Sequence, residues 1–166
     1  MTKIRYLDIQ RMSSEDGPGL RTTIFFKGCS LACAWCHNPE SIAKKFQVHW
    51  LSTRCISCGS CDNVCPNGAL TRDASGVHID RRLCTGCCAC VGVCPTLALG
   101  CKGMDAEPEE LCRELVKDRA YFGRDGGVTL SGGEALLQDG AVELLRLLKQ
   151  EGIQTAVDTC GMVFTE

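Results

Sequence analysis

Fifteen cysteines in 166 residues constrain this chain more than any other feature. Cys55, Cys58, Cys61 and Cys65 precede Pro66, and Cys84, Cys87, Cys90 and Cys94 precede Pro95, both in the spacing C-x2-C-x2-C-x3-C-P. The two runs form an internal duplication. So many cysteines could instead staple a secreted scaffold. The odd count and the strictly repeated short spacings favour thiolate ligands of metal. Residues 1–10 mix Lys3, Arg5 and Asp8 with apolar side chains and so lack the apolar core of an export signal, and the expectation is a cytoplasmic protein.

The remaining composition mainly excludes. A formal net charge of −2 offers no electrostatic attraction to nucleic acid or to an anionic membrane, and neither is expected as a partner. No apolar run approaches the roughly 20 residues of a membrane span. A hydrophobic fraction of 45% is that of a globular protein.

The duplicated spacing is the bacterial ferredoxin run, in which the fourth cysteine of one run ligates the cluster of the other. One 4Fe-4S cluster then takes Cys55, Cys58, Cys61 and Cys94, and the second takes Cys84, Cys87, Cys90 and Cys65. Zinc would use two C-x2-C pairs at longer separation and leaves the third cysteine and the proline of each run without a reason. Cys88, Cys101, Cys112 and Cys160 match no ligand position and read as small buried hydrophobes.

On either side of this segment the grammar is α/β. Residues 20–27 read as a buried strand ended by Gly28, and residues 37–45 as loop or short helix. A helix begins near Pro108, capped by Asp105 or Glu107, and ends near Arg119. Residues 128–130 form the next strand. A second helix spans residues 141–150, with Val142, Leu144, Leu145 and Leu148 as its buried stripe and Gly152 as its stop, and residues 153–157 form a third strand. Strands alternating with helices imply a parallel sheet with right-handed crossovers.

Directly after the first strand, Cys29, Cys33 and Cys36 form C-x3-C-x2-C. Three thiolates leave one iron of a cubane open to a non-protein ligand, as a catalytic zinc keeps a vacant position. A zinc knuckle or a group of core cysteines is the alternative. The surrounding residues are more specific. Asp16-Gly17-Pro18-Gly19-Leu20-Arg21-Thr22, Phe25-Phe26-Lys27-Gly28-Cys29 and Cys33-Ala34-Trp35-Cys36-His37-Asn38-Pro39-Glu40 together resemble the signature of the glycyl-radical-enzyme activating enzymes, within the radical S-adenosylmethionine (SAM) superfamily.

That resemblance implies an N-terminal part of a partial (β/α)6 radical SAM barrel: residues 1–48 and 102–166 as core, and residues 49–101 as an inserted α+β ferredoxin-like domain. It implies a 4Fe-4S cluster on Cys29, Cys33 and Cys36 whose open iron is chelated by SAM, making three clusters in all. Trp35 and His37 would face the nucleoside; simple packing beneath the loop is the equal alternative for Trp35. Ser131-Gly132-Gly133-Glu134 resembles the family's GGE motif, with Gly132, Gly133 and Glu134 receiving the methionyl ammonium, although Ala135 stands where the family usually has proline. Asp158-Thr159-Cys160-Gly161 resembles its Asp-Thr-x-Gly segment, placing Asp158 and Thr159 near the methionyl carboxylate with a monovalent cation as mediator; a helix N-cap is the alternative. Asp16 and Arg21 would seat the partner's loop or rigidify their own turn.

The implied activity is reductive cleavage of SAM to a 5'-deoxyadenosyl radical that abstracts hydrogen from a glycine of a partner enzyme, with a flavodoxin or ferredoxin-type protein as reductant. No side chain is expected to act as acid or base. A radical SAM reaction on a small molecule and a plain iron-sulfur electron carrier are the rival readings. Three strands against the six of the family barrel also imply a fragment or a truncated product.

Overall fold

In the computed structural model, residues 3–162 are described. Among them are strands β1 (Ile4–Ser13), β2 (Arg21–Phe26), β3 (Gln47–Trp50), β4 (Leu70–Asp73), β5 (Gly76–Ile79), β6 (Leu99–Lys102), β7 (Met104–Ala106), β8 (Gly127–Gly132) and β9 (Gln154–Val157). The helices are α1 (Ala89–Gly92), α2 (Pro108–Val116) and α3 (Ala141–Gln150). Two compact units result, one of them Lys45–Gly103 and the other the chain on either side of it.

The flanking unit is built on one five-stranded sheet in the order β7-β1-β2-β8-β9. β2, β8 and β9 run parallel, while β1 lies antiparallel to both β2 and β7. The sheet is therefore mixed. The parallel part matches the alternation read from the sequence; β1 mixes polar and apolar residues without strict alternation and gives no strand signal of its own. β2 and β8 are buried on both sides, as strands within a sheet covered on two faces must be. One face carries Ile24, Phe26, Val128 and Leu130, fully buried against Leu111 and Leu115 of α2 and Leu144 and Leu148 of α3. The other carries Arg21, Thr23 and Thr129, which are buried yet polar.

Local chemistry sets the helix ends. Glu107 and Glu110 form a reciprocal capping box at the start of α2, with Pro108 in the first turn. α3 ends in a Schellman turn: Gly152, at φ 72°, donates to the Lys149 carbonyl and Ile153 donates to that of Leu148. Buried Ile153 completes the turn and leads into β9. The stripe of α3 is Ala141, Leu144 and Leu148; Val142, expected in it, is 69% exposed.

The Lys45–Gly103 unit has two small antiparallel pairs, β3 with β6 and β4 with β5, and the single-turn α1. Its buried apolar cluster is Val48, Val77, Cys90 and Leu99, with cysteines packed around it. A unit below about 70 residues with so few apolar side chains needs a staple such as a metal centre.

Candidate metal centres and cofactor site

The duplicated cysteines line two separate cavities. Cys55, Cys58, Cys61 and Cys94 surround one, beneath Trp50 and Leu99. Cys65, Cys84, Cys87 and Cys90 surround another, against Val48 and Ile79. Each fourth cysteine has crossed to the other run's cavity, the partition that the ferredoxin spacing requires. Left-handed residues turn the loops so that their thiols point inward: Ser57 and Gly59 in the first run are matched by Gly86 and Cys88 in the second, each 29 positions on. The Ala69 amide donates to Cys65 Sγ at 3.2 Å and the Leu99 amide to Cys94 Sγ at 3.5 Å. These and neighbouring amides hold both thiols below their ordinary pKa, whereas burial raises those of Cys61 and Cys90. Trp50 Nε1 is buried with no partner, an orphan donor beside a cavity that sulfide would make rich in acceptors.

Among the described residues, no three His, Cys, Asp or Glu side chains gather as they would on a single ion. A cubane asks for something else, since each thiolate binds a different iron and the sulfurs stand apart by the width of the cluster. Each quartet lines one cavity.

The parallel strands of the flanking unit bring the other candidates to one end of their sheet. Cys29 follows β2, Gly133 and Glu134 follow β8, and Asp158 to Cys160 follow β9. The cysteine loop is tied at its base, where the Gly28 amide donates to the Ser41 carbonyl at 2.6 Å and Cys29 to that of Ile42 at 3.0 Å. Lys27, fully buried, donates its ammonium to the Glu40 carbonyl, and burial lowers its pKa. Gln138 closes the same end by donating to the Lys27 carbonyl at 2.6 Å. Sequence reading assigned neither residue a role; a lysine and a glutamine carry no sign of such a duty until the strand ends are seen together. Cys29, Cys33 and Cys36 are half-buried, and the Cys36 amide donates to the Cys33 carbonyl in a tight turn. Trp35 is 79% exposed, so it is not packed beneath the loop, and His37 is exposed as well.

Glu134 is the centre of this edge. It is fully buried, and Oε1 accepts from the Leu136 amide at 3.1 Å. Oε2 accepts from Thr159 Oγ1 at 2.8 Å, the Cys160 amide at 2.9 Å and the Cys160 thiol at 2.8 Å. Burial pushes the carboxyl up, but the Cys160 thiol, the Leu136 amide and the Thr159 hydroxyl together outweigh it and hold it below the usual range. The GGE and Asp-Thr-x-Gly segments thus meet through Glu134 itself. Cys160, expected as a buried hydrophobe, is instead exposed and bonded to this carboxylate; Cys88 and Cys101 depart from the same expectation by forming a disulfide, and of these four Cys112 alone is a buried free thiol. Spacing alone could not distinguish these fates.

The two glycines before Glu134 answer to the neighbouring strand. A Cβ on Gly132, at φ 99°, would stand 2.5 Å from the Phe26 nitrogen, and one on Gly133 2.4 Å from the Gly28 oxygen. Asp158 is exposed, and its charge reaches Arg21. Arg21 is 2% exposed and donates to Thr129 Oγ1, Pro18 O and Val128 O. Asp16 accepts from Thr23, and its carbonyl from Thr129. Both residues therefore tie their turn to the sheet through threonines.

This is an iron-sulfur protein: residues 54–98 match the family described as 4Fe-4S dicluster domain. Over nearly all of its length it is also similar to activating enzymes. It is 44% identical to the trans-4-hydroxy-L-proline dehydratase activating enzyme of Clostridioides difficile across 96% of this chain and 54% of that protein. It is 44% identical to the choline trimethylamine-lyase activating enzyme of Oleidesulfovibrio alaskensis across 96% and 53%, and 45% to the benzylsuccinate synthase activating enzyme of Thauera aromatica across 92% and 48%. The resemblance read from the cysteine loop thus extends along the chain, which spans about half the length of these relatives. Among the described residues, no helix is long and apolar enough to cross a membrane.

Proposed function

We propose that this chain carries the cluster-binding and SAM-binding machinery of a cytoplasmic glycyl-radical-enzyme activating enzyme. In this reading the β2-α2-β8-α3-β9 run belongs to a partial (β/α)6 barrel, whose lumen face is the polar side bearing Arg21, Thr23 and Thr129. Residues 49–101 are the ferredoxin-type insert. The observation that supports it best is the meeting of the cysteine loop, Gly132-Gly133-Glu134 and Thr159-Cys160 at one end of the parallel strands, the end at which such sheets hold ligands.

Cys29, Cys33 and Cys36 would hold a 4Fe-4S cluster, and the two quartets one each. When bound and reduced, the three-thiolate cluster supplies the electron that splits SAM into methionine and a 5'-deoxyadenosyl radical. The chain's own residues do the rest by binding and orientation. Glu134, charged and fixed by four donors, presents a carboxylate to the methionyl ammonium. Gly132 and Gly133 bring the backbone of that turn against the end of β2. Asp158 stands at the rim, where a monovalent cation would reconcile it with the methionyl carboxylate. Trp35 and His37 are free to close on a nucleoside. A glycine-bearing enzyme is the hydrogen donor and a flavodoxin or ferredoxin the reductant.

Anaerobic reconstitution with iron and sulfide, reduction with dithionite and addition of SAM test the proposal. Release of 5'-deoxyadenosine is expected, and it should vanish when Cys29, Cys33 and Cys36 are replaced together. Release that survives the triple replacement would overturn the assignment; a carrier of electrons alone would release none from the wild type.

A further inference from the structure

The two halves of the duplicated segment differ at one place in a way that neither ligand spacing nor packing requires. Positions 29 apart correspond throughout, and the first half has Gly59 where the second has Cys88. Both are left-handed, Gly59 at φ 77° and Cys88 at φ 58°. Glycine takes that conformation freely, while a side chain there costs roughly 1 kcal/mol. Cys88 carries that cost, as Ser57 does in the first run.

Its sulfur is bonded to Cys101 on β6. Cys101 corresponds to Arg72 on β4, and in the first half Arg72 forms an ion pair with Asp62 that lies across Gly59. Asp62 corresponds to Val91, so the second half has lost the ion pair and carries a covalent bridge in its place. Cys88 lines the cavity of Cys65, Cys84, Cys87 and Cys90, as Gly59 and Arg72 line that of the first quartet, so the bridge stands where the ion pair stands in the first half. Cys88 and Cys101 are both half-buried and so within reach of a small thiol.

We infer that Cys88 and Cys101 are a reversible thiol-disulfide couple that guards the second iron-sulfur centre. In the bridged state α1 is fastened to β6, and the loop carrying Cys84, Cys87 and Cys90 cannot swing away from the cavity. The exchange is balanced by a low-molecular-weight disulfide: Cys88-SH and Cys101-SH become Cys88-S-S-Cys101 while the oxidant's sulfur-sulfur bond breaks and two small thiols leave. A reducing dithiol reverses it. No iron is oxidised or reduced in this step. The protective role rests on the cluster reading above; the thiol chemistry does not.

The whole chain, reconstituted anaerobically, is equilibrated with oxidised or reduced glutathione, quenched in acid, alkylated and mapped by mass spectrometry. After oxidation Cys88 and Cys101 should resist alkylation and appear in one linked peptide; after dithiothreitol both should be alkylated. Iron release to a chelator should then be several-fold slower from the bridged protein than from the reduced protein. Cys88→Gly, which installs the residue of the first half and removes the backbone strain, should release iron at the reduced rate whatever the glutathione state. Two alkylatable thiols after oxidation would overturn the couple, in metal-free and iron-loaded protein alike. A bridge that forms without changing the iron-release rate would overturn the protective role. Protein that takes up no iron yet forms the bridge would sink the cluster reading and leave the couple standing.

Discussion

Glu134 shows how one side chain can organise a site. Replacing it with glutamine keeps its volume but sets an amide nitrogen against either the Leu136 amide or the Thr159 and Cys160 donors. A loss of about 1–3 kcal/mol is expected from the unmatched groups, read as a lowered urea midpoint, together with weakened SAM binding by equilibrium dialysis. The pH dependence follows from the depressed carboxyl. A folded pKa below the ordinary 4.5 makes the charged form contribute its full stabilisation above that pH and lose it as pH falls through the folded value. The gap in urea midpoint between wild type and Glu134→Gln, measured in the same cluster state, should therefore be widest near neutrality and narrow below 4.5; a gap that widens on acidification would refute the charged role. Much of this site was legible as short motifs, because cysteine spacing and Gly-Gly-Glu carry chemistry locally. What was not legible is contact at long sequence distance: nothing in the text of the chain says that the Cys160 thiol meets Glu134, or that Cys88 meets Cys101.

At the scale of elements, the parallel strands and helices could be read because their apolar periods are local, whereas β1 and the exact face of α3 depend on what they pack against. The stripe of α3 makes the difference measurable. Leu144 is fully buried, and Leu144→Ala should cost about 2–5 kcal/mol. Val142 points to solvent, and Val142→Glu should stay within about 0.5 kcal/mol in the same thermal melts. The strand ends are less forgiving. A methyl on Gly132 meets backbone of β2, and one on Gly133 meets the backbone of Gly28 just beyond it, rather than a movable side chain, so the carboxyl ends of β2 and β8 must part to admit either. Gly132→Ala adds left-handed strain to that overlap and should destabilise by roughly 2–3 kcal/mol or more, with Glu134 displaced from Thr159 and Cys160. A melt unchanged by Gly132→Ala would show that the ends of the two strands part without cost, against this prediction.

Arg5 draws together the two segments of the flanking unit that border Lys45–Gly103 in the chain. Its guanidinium donates to both carboxylate oxygens of Asp105 at 2.7 Å, and its Nη1 donates to the carbonyl of Lys44 at 3.1 Å. Lys44 and Asp105 are thus held within the width of a single side chain, although 59 residues, Lys45–Gly103, lie between Lys44 and Met104. β7 keeps its own pairing with β1 at Ile4, Arg5 and Tyr6, so the exit strand does not depend on the excised residues for its place in the sheet. Removing Lys45–Gly103 and joining the ends through a few glycines should accordingly close at a low loop-entropy cost, since short closures over such a gap are inexpensive. The shortened protein is expected to fold, to keep the Glu134 contacts, and to bind about four irons per chain on Cys29, Cys33 and Cys36, where the whole protein binds about twelve on three cubanes. Anaerobic iron and sulfide counting on the two proteins decides this. A shortened chain that folds but binds no iron would mean that the three-thiolate loop cannot hold a cluster without the insert, and one that fails to fold would mean that the flanking unit draws its stability from residues 45–103.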